Sequence, residues 1–141
     1  MANYDASVTN KSNQSVRTFK DLNLDFARNT VTNDVNNLQD VEAVKRSVRN
    51  LINLNHFDKP FHPEIGSNIR ALLFEPFTPV TSIFIRRKVE EVITNYETIA
   101  RLYQVIVTES PDRNSIEVRV VFYCMNIANP VTVLTTLQRI R

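Results

Sequence analysis

Three sets of residues have the types and spacing for chemistry. His56 and His62 bracket the stretch HFDKPFH. A zinc site needs two or more further ligands in a recognisable spacing, such as HExxH or paired cysteines. The chain has two histidines and one cysteine in all, so these histidines are expected to be solvated or hydrogen-bonding. Cys124 ends the alternating apolar run IEVRVVFYC and reads as a buried structural thiol. Glu64 and Glu75 bracket a short apolar segment. Two carboxyls held roughly 5 to 9.5 Å apart can cleave a glycosidic bond. The plainer reading puts Glu64 at a helix N-terminus and Glu75 on a solvated end. Only a pair with perturbed acidity would reverse it. With Gly66 as the single glycine, no phosphate loop, dinucleotide fingerprint or GxSxG elbow can form. No catalytic, cofactor-binding or metal-binding residues are expected.

Arg86-Arg87-Lys88 is followed at once by Glu90 and Glu91 and has no interleaved aromatic residue, so it reads as a solvated helix face rather than a nucleic-acid track. The net charge of +2 is equally mild. No apolar run approaches the ~18 residues of a membrane span, and the polar start MANYDASVTNKSNQS lacks the apolar middle of a signal peptide. One cysteine excludes an internal disulfide framework and suits a reducing cytosol or an assembly built there. The 141 residues suit one domain with its own core.

Several elements position these groups. Residues 1–17 are rich in Asn, Ser and Thr, lack periodicity and are expected to form a flexible arm ahead of a single domain over 18–141. Leu22, Leu24 and Phe26 alternate with polar residues, the pattern of a half-buried strand, with a turn at Asn33-Asp34 and a return near Val35. A helix is expected from an Asp40 N-cap to Asn53–Asn55, with Val41, Val44, Val48, Leu51 and Ile52 on its inner face. A short helix follows Gly66, capped by Ser67 or Asn68, with Ile69, Leu72 and Leu73 inward. Thr78-Pro79 reads as an N-cap followed by Pro at the first helical position. The long helix it starts turns Ile85, Val89, Val92, Ile93 and Tyr96 inward. The period then switches to two. Tyr103, Val105 and Val107 share one strand face. SPDRNS is a turn, and Ile116, Val118, Val120, Phe122 and Cys124 share the next face. Asn129-Pro130 breaks the chain before a last strand, Val131 to Ile140. The fold class is α+β: an N-terminal strand or hairpin, three helices and a C-terminal antiparallel β-meander.

The segment KPFHPEIGSNIRALLFEP holds Pro60, Phe61, Pro63 and Gly66, then Phe74 and Glu75. The prolines stiffen the loop, Phe61 is expected to anchor it, and Gly66 permits a positive φ into the short helix.

The stretch NLINLNHFDKPFHPEIGSNIRALLFEPFTPVT resembles the central block of the baseplate wedge, or sheath-initiator, family of contractile-tailed phages, which has relatives in type VI secretion baseplates. Lys59-Pro60-Phe61-His62-Pro63-Glu64-Ile65-Gly66 matches its R-P-F-x-P-x-x-G loop, with Lys in place of Arg. The family's aromatic-Glu-Pro-Arg motif aligns with Tyr96-Glu97-Thr98-Ile99, so Tyr96 and Glu97 match, and Arg101 stands in for the missing cation. The resemblance implies a non-enzymatic virion component of the tail baseplate, assembled in the host cytoplasm in multiple copies. It implies contact with other wedge proteins through Tyr96, Glu97 and Arg101. It also implies pairing with tail sheath protein along the last strand, at Val131, Val133, Leu134 and Thr136, to initiate the sheath. Some relatives are labelled lysozyme-like, so a cell-wall hydrolase is the alternative.

Overall fold

The computed structural model describes residues 19–110, 115–125 and 127–138. The expected arm at 1–17, the centre of the SPDRNS turn and the last three residues lie outside them. Strands β1 (Lys20–Leu22) and β2 (Asn37–Gln39) form an antiparallel ribbon. Helices α1 (Val41–Asn53), α2 (Ile69–Leu72) and α3 (Pro79–Tyr96) follow. Strands β3 (Ala100–Ser110), β4 (Ser115–Cys124) and β5 (Val131–Gln138) then make an antiparallel sheet in the order β3-β4-β5. The architecture is the α+β order expected from the change of period.

The helices cover one face of the sheet. Val44, Val48 and Ile52 from α1 and Ile85, Val89 and Ile93 from α3 meet the inward residues of β4, from Ile116 to Cys124, in one core. The other sheet face stays open, as an antiparallel sheet can tolerate. α3 starts as its sequence dictates: the Thr78 hydroxyl accepts from the Thr81 amide at 3.2 Å, and Pro79 takes the first helical position. The basic run lies on its outer face. Arg86 pairs with Glu90 at 2.8 Å and Lys88 with Glu91 at 3.2 Å, one helical turn apart.

Four local expectations are corrected. Leu22, Leu24 and Phe26 are exposed, Phe26 to 71%, because the two-stranded ribbon has no layer beneath these side chains. It is held by polar contacts instead: the Arg46 guanidinium grips both Asp25 and the Asn23 side chain. Asp40 does not cap α1 with its side chain. Its carboxyl accepts from the Phe19 amide at 3.2 Å, and its backbone sits at φ 46° where β2 bends into the helix. Tyr103 points outward, 66% exposed, because the ladder slips between Leu102, opposite Phe122, and Gln104, opposite Val121. That bulge sends Leu102 toward the core and stacks Tyr103 edge-on against Tyr123, with ring centroids 5.7 Å apart. Tyr96, expected on the inner stripe of α3, is exposed, and its hydroxyl donates to the Glu64 carbonyl at 3.3 Å.

Candidate partner-binding site

The candidate residues lie in three regions: the proline loop, the C-terminal end of α3, and the β5 edge. α1 ends at Leu54, whose extended backbone leads into the loop. Gly66 has φ 147°, and a Cβ placed on it would lie 2.7 Å from the Asn55 carbonyl carbon and 2.8 Å from the Leu54 oxygen. Glycine is therefore needed twice over: for the dihedral, which the sequence suggested, and for close approach to the end of α1, which it did not. Buried Ser67 completes the joint. Its amide donates to Leu54 O at 2.9 Å and its hydroxyl to Ile52 O at 2.6 Å. The Ser67 hydroxyl oxygen in turn accepts from the Ile69 amide at 3.3 Å, so Ser67 rather than Asn68 caps α2.

Phe61 does not anchor this loop. It is 97% exposed with φ 66°, and Phe57, at φ 72°, is also exposed. The loop is held by its polar groups instead. Asp58 accepts from the Asn55 amide at 2.9 Å, and the Phe57 amide donates to Pro63 O at 3.0 Å. Pro60, Pro63, Phe74 and Glu75 are all on the surface.

Glu97 terminates α3 and is 7% exposed, so it is not a surface charge. Its carboxyl accepts a short hydrogen bond from the Ser47 hydroxyl of α1. Arg101 does not supply the cation internally. It is exposed, lies opposite Tyr123 in the β3–β4 ladder, and makes no ion pair with Glu97 among the described residues. Tyr96 and Glu97 are sequence neighbours that point apart, one to the proline loop and one to α1. Ser47 is the residue that sequence reasoning missed. The signal was present: a serine three residues after Val44 and one before Val48 lies on the apolar stripe of α1. A cavity of about 190 Å³ opens beside this contact, lined by Lys20, Asp21, Val44, Ser47, Glu97 and Ile99 among others.

β5 is one edge of its sheet and pairs with β4 without a slip, from Phe122 opposite Val131 to Ser115 opposite Gln138. Its residues alternate strictly. Val131 and Val133 face the core, while Leu134, 44% exposed, and Thr136 face outward. The four residues expected to meet a partner strand are thus split between the two faces.

Glu64 and His62 are exposed and paired at 3.3 Å. The Glu64 carboxyl is held below the usual glutamate range, first by its own backbone amide and then by His62. A glycosidase general acid requires the opposite shift. Cys124 is buried, and that burial, reinforced by the charges of Asp40 and Glu97, raises its thiol above the ordinary value, as suits an inert structural thiol. Among the described residues no three His, Cys, Asp or Glu lie together as metal ligands, and no helix is long and apolar enough to cross a membrane.

Residues 38–126 match the sequence family described as baseplate wedge protein gp25. The baseplate wedge protein gp25 of Enterobacteria phage T4 is 33% identical over 64 residues, which are 45% of this chain and 48% of that protein. The chain therefore spans about half the length of the curated relative it matches. Two solved structures share the fold. A crystal structure from Geobacter sulfurreducens that carries the name of a tail lysozyme superposes with a TM-score of 0.64 at 14% identity, over 71% of this chain and 91% of that one. A chain of the anti-feeding prophage baseplate superposes with a TM-score of 0.60 at 18% identity, over 84% of each.

Proposed function

The chain belongs to the baseplate wedge protein gp25 family, and on that footing we propose that it is a non-catalytic structural subunit of a contractile-tail baseplate. It occupies the virion tail in several copies after assembly in the host cytoplasm. It joins other wedge proteins through the α3–β3 corner, where Tyr96 and Arg101 are exposed and Glu97 braces the corner from inside. It templates the first ring of tail sheath by strand addition along β5, as in a type VI secretion-like baseplate.

The observation that carries the sheath reading is the contrast between the two sheet edges. β3 is kinked by its bulge at Tyr103, a device that blunts an edge. β5 runs in unbroken register and has no strand beyond it among the described residues. An incoming extended arm would gain backbone hydrogen bonds worth a net ~0.5–1.5 kcal/mol each, and alternate side chains would set its register. The hydrolase reading has against it the Glu64 carboxyl, which is held below the usual glutamate range. Purified protein is expected to give no clearing on a peptidoglycan zymogram.

The test places Pro singly at Thr132, Leu134 and Thr136 and follows folding, baseplate entry and sheath growth. At least one variant is expected to fold and enter baseplates yet fail to seed sheath. Normal sheath growth with all three ends the reading. For the wedge contact, Glu97→Gln keeps an oxygen for Ser47 and removes the charge. It is expected to fold and to enter wedges poorly. Unchanged entry makes Glu97 an internal brace alone.

A further inference from the structure

Beside the outer end of β5 lies a cavity of about 360 Å³. Its walls come from two layers. Thr136, Leu137 and Gln138 close it on the sheet side, and Asn53, Arg70 and Leu73 on the helical side, with Phe74 also lining it. Among the described residues, β5 has no further strand on this side. Leu73 and Leu137 are buried core residues that reach its walls, while Phe74 stands 74% exposed.

Two features mark this cavity as unfinished. Among the described residues Arg70 is the one charged residue lining the cavity, and it makes no ion pair with any of them. On the inward face of β5, one alternation before Leu137, the Thr135 hydroxyl is buried and has no hydrogen-bond partner among the described residues. A buried hydroxyl without a partner is costly in a finished core. Arg70 reaches the cavity from α2, while Thr135 lies on β5 next to the residues of its sheet wall.

We propose that this cavity is the side-chain subsite for the strand that adds to β5, and that it selects a segment carrying a carboxylate and an apolar residue two positions apart. The inference rests on the β5 reading above and adds what the incoming segment must carry. Alternate residues of an added strand point toward the helical layer, about 6.6–6.8 Å apart. One such residue reaches Arg70 and the next rests on Leu73, Phe74 and Leu137. A guanidinium in a partly apolar setting binds a carboxylate through two parallel hydrogen bonds, which fixes position as well as strength. A slip of one residue would turn both side chains to the outer face, so the pair sets register. A single cation is too little for a nucleic-acid strand, whose binding draws on many phosphate contacts.

The experiment measures sheath growth on baseplates carrying Arg70→Glu, Arg70→Lys or the β5 proline variants, with each protein's folding checked by its urea midpoint. Arg70 is exposed, so its variants are expected to fold. Arg70→Glu is expected to lower seeding by roughly tenfold or more, the effect of losing one charge-assisted contact, and Arg70→Lys to lower it less. Acidic residues of the sheath arm are then changed singly to Lys, and one is expected to restore seeding with Arg70→Glu. If the proline variants block seeding and Arg70→Glu does not, the subsite is wrong and the edge reading stands. If the proline variants also seed normally, both fall. A defect in Arg70→Glu that no Lys substitution in the arm repairs reduces Arg70 to a local structural role and overturns the subsite.

Discussion

At Gly66 and Ser67 the chain closes on itself: Ser67 bonds back to Ile52 and Leu54 at the end of α1 and forward to the Ile69 amide of α2, and the backbone passes too near Leu54 and Asn55 for any side chain. At β5 the construction is the reverse. Among the described residues half its backbone edge has no strand beside it and one buried hydroxyl has no partner, and a cavity lies alongside. A subunit that must hold its own shape and also complete a larger assembly needs both kinds of region. The closed joint spends its polar groups internally. The open edge leaves them without a neighbouring strand among the described residues, where the proposed assembly would seat another chain.

Gly66→Ala is the severest way to break the contrast. The strained φ and the clash with backbone atoms add, and an expected loss of roughly 3–5 kcal/mol is read from urea unfolding. A loss under about 1 kcal/mol would mean that the joint yields easily. Ser47→Ala attacks the other internal brace. It leaves the buried Glu97 carboxyl without its donor and should cost about 1–3 kcal/mol by the same measurement. Thr135→Val is expected to act with the opposite sign. It replaces an unpartnered buried hydroxyl with a methyl of the same shape, for a gain of about 1 kcal/mol in the free protein. A loss instead would show the hydroxyl to be satisfied within the chain.

The smallest effect belongs to the N-terminal ribbon. The Arg46 hydrogen bond holds the Asp25 carboxyl below the ordinary aspartate value. A carboxyl lowered in the folded state stabilises above its unfolded pKa of about 3.9 and loses that contribution as pH falls through the lowered folded value. Because Asp25 is exposed, solvent screens most of this. Amide protection over 20–39, taken relative to the intrinsic exchange rate at each pH, should fall at acid pH, and Arg46→Ala should lower it at neutral pH as well. Equal protection in both proteins at neutral pH would remove the tie.

Much of the chain was legible because its signals are local. Val44, Val48 and Ile52 recur at helical spacing, Thr78-Pro79 carries both parts of a helix start, and Val131, Val133 and Leu137 keep the strand period although Leu134 and Thr135 depart from it. Those patterns need only the geometry of one element. The misreadings all involve a second element. Leu22, Leu24 and Phe26 alternate well, yet burial depends on a facing layer that the ribbon lacks. Tyr103 follows the strand period, yet a slip against β4 turned it outward. Phe61 looked like an anchor because aromatic residues usually bury, and the fold left nothing above it.

By itself the sequence determined the order and type of the main helices and of the C-terminal strands, the start of α3, and the place where only glycine would serve. Those features follow from side-chain period, capping chemistry and backbone sterics, which act within a few residues. Only the tertiary structure decided that Glu97 answers to Ser47, that Gly66 lies against Leu54 and Asn55, and that Arg70 borders a cavity beside β5. Each of these joins atoms distant along the chain, 50 residues apart for Ser47 and Glu97. Their meeting is set by how helices and sheet pack, which no local pattern records.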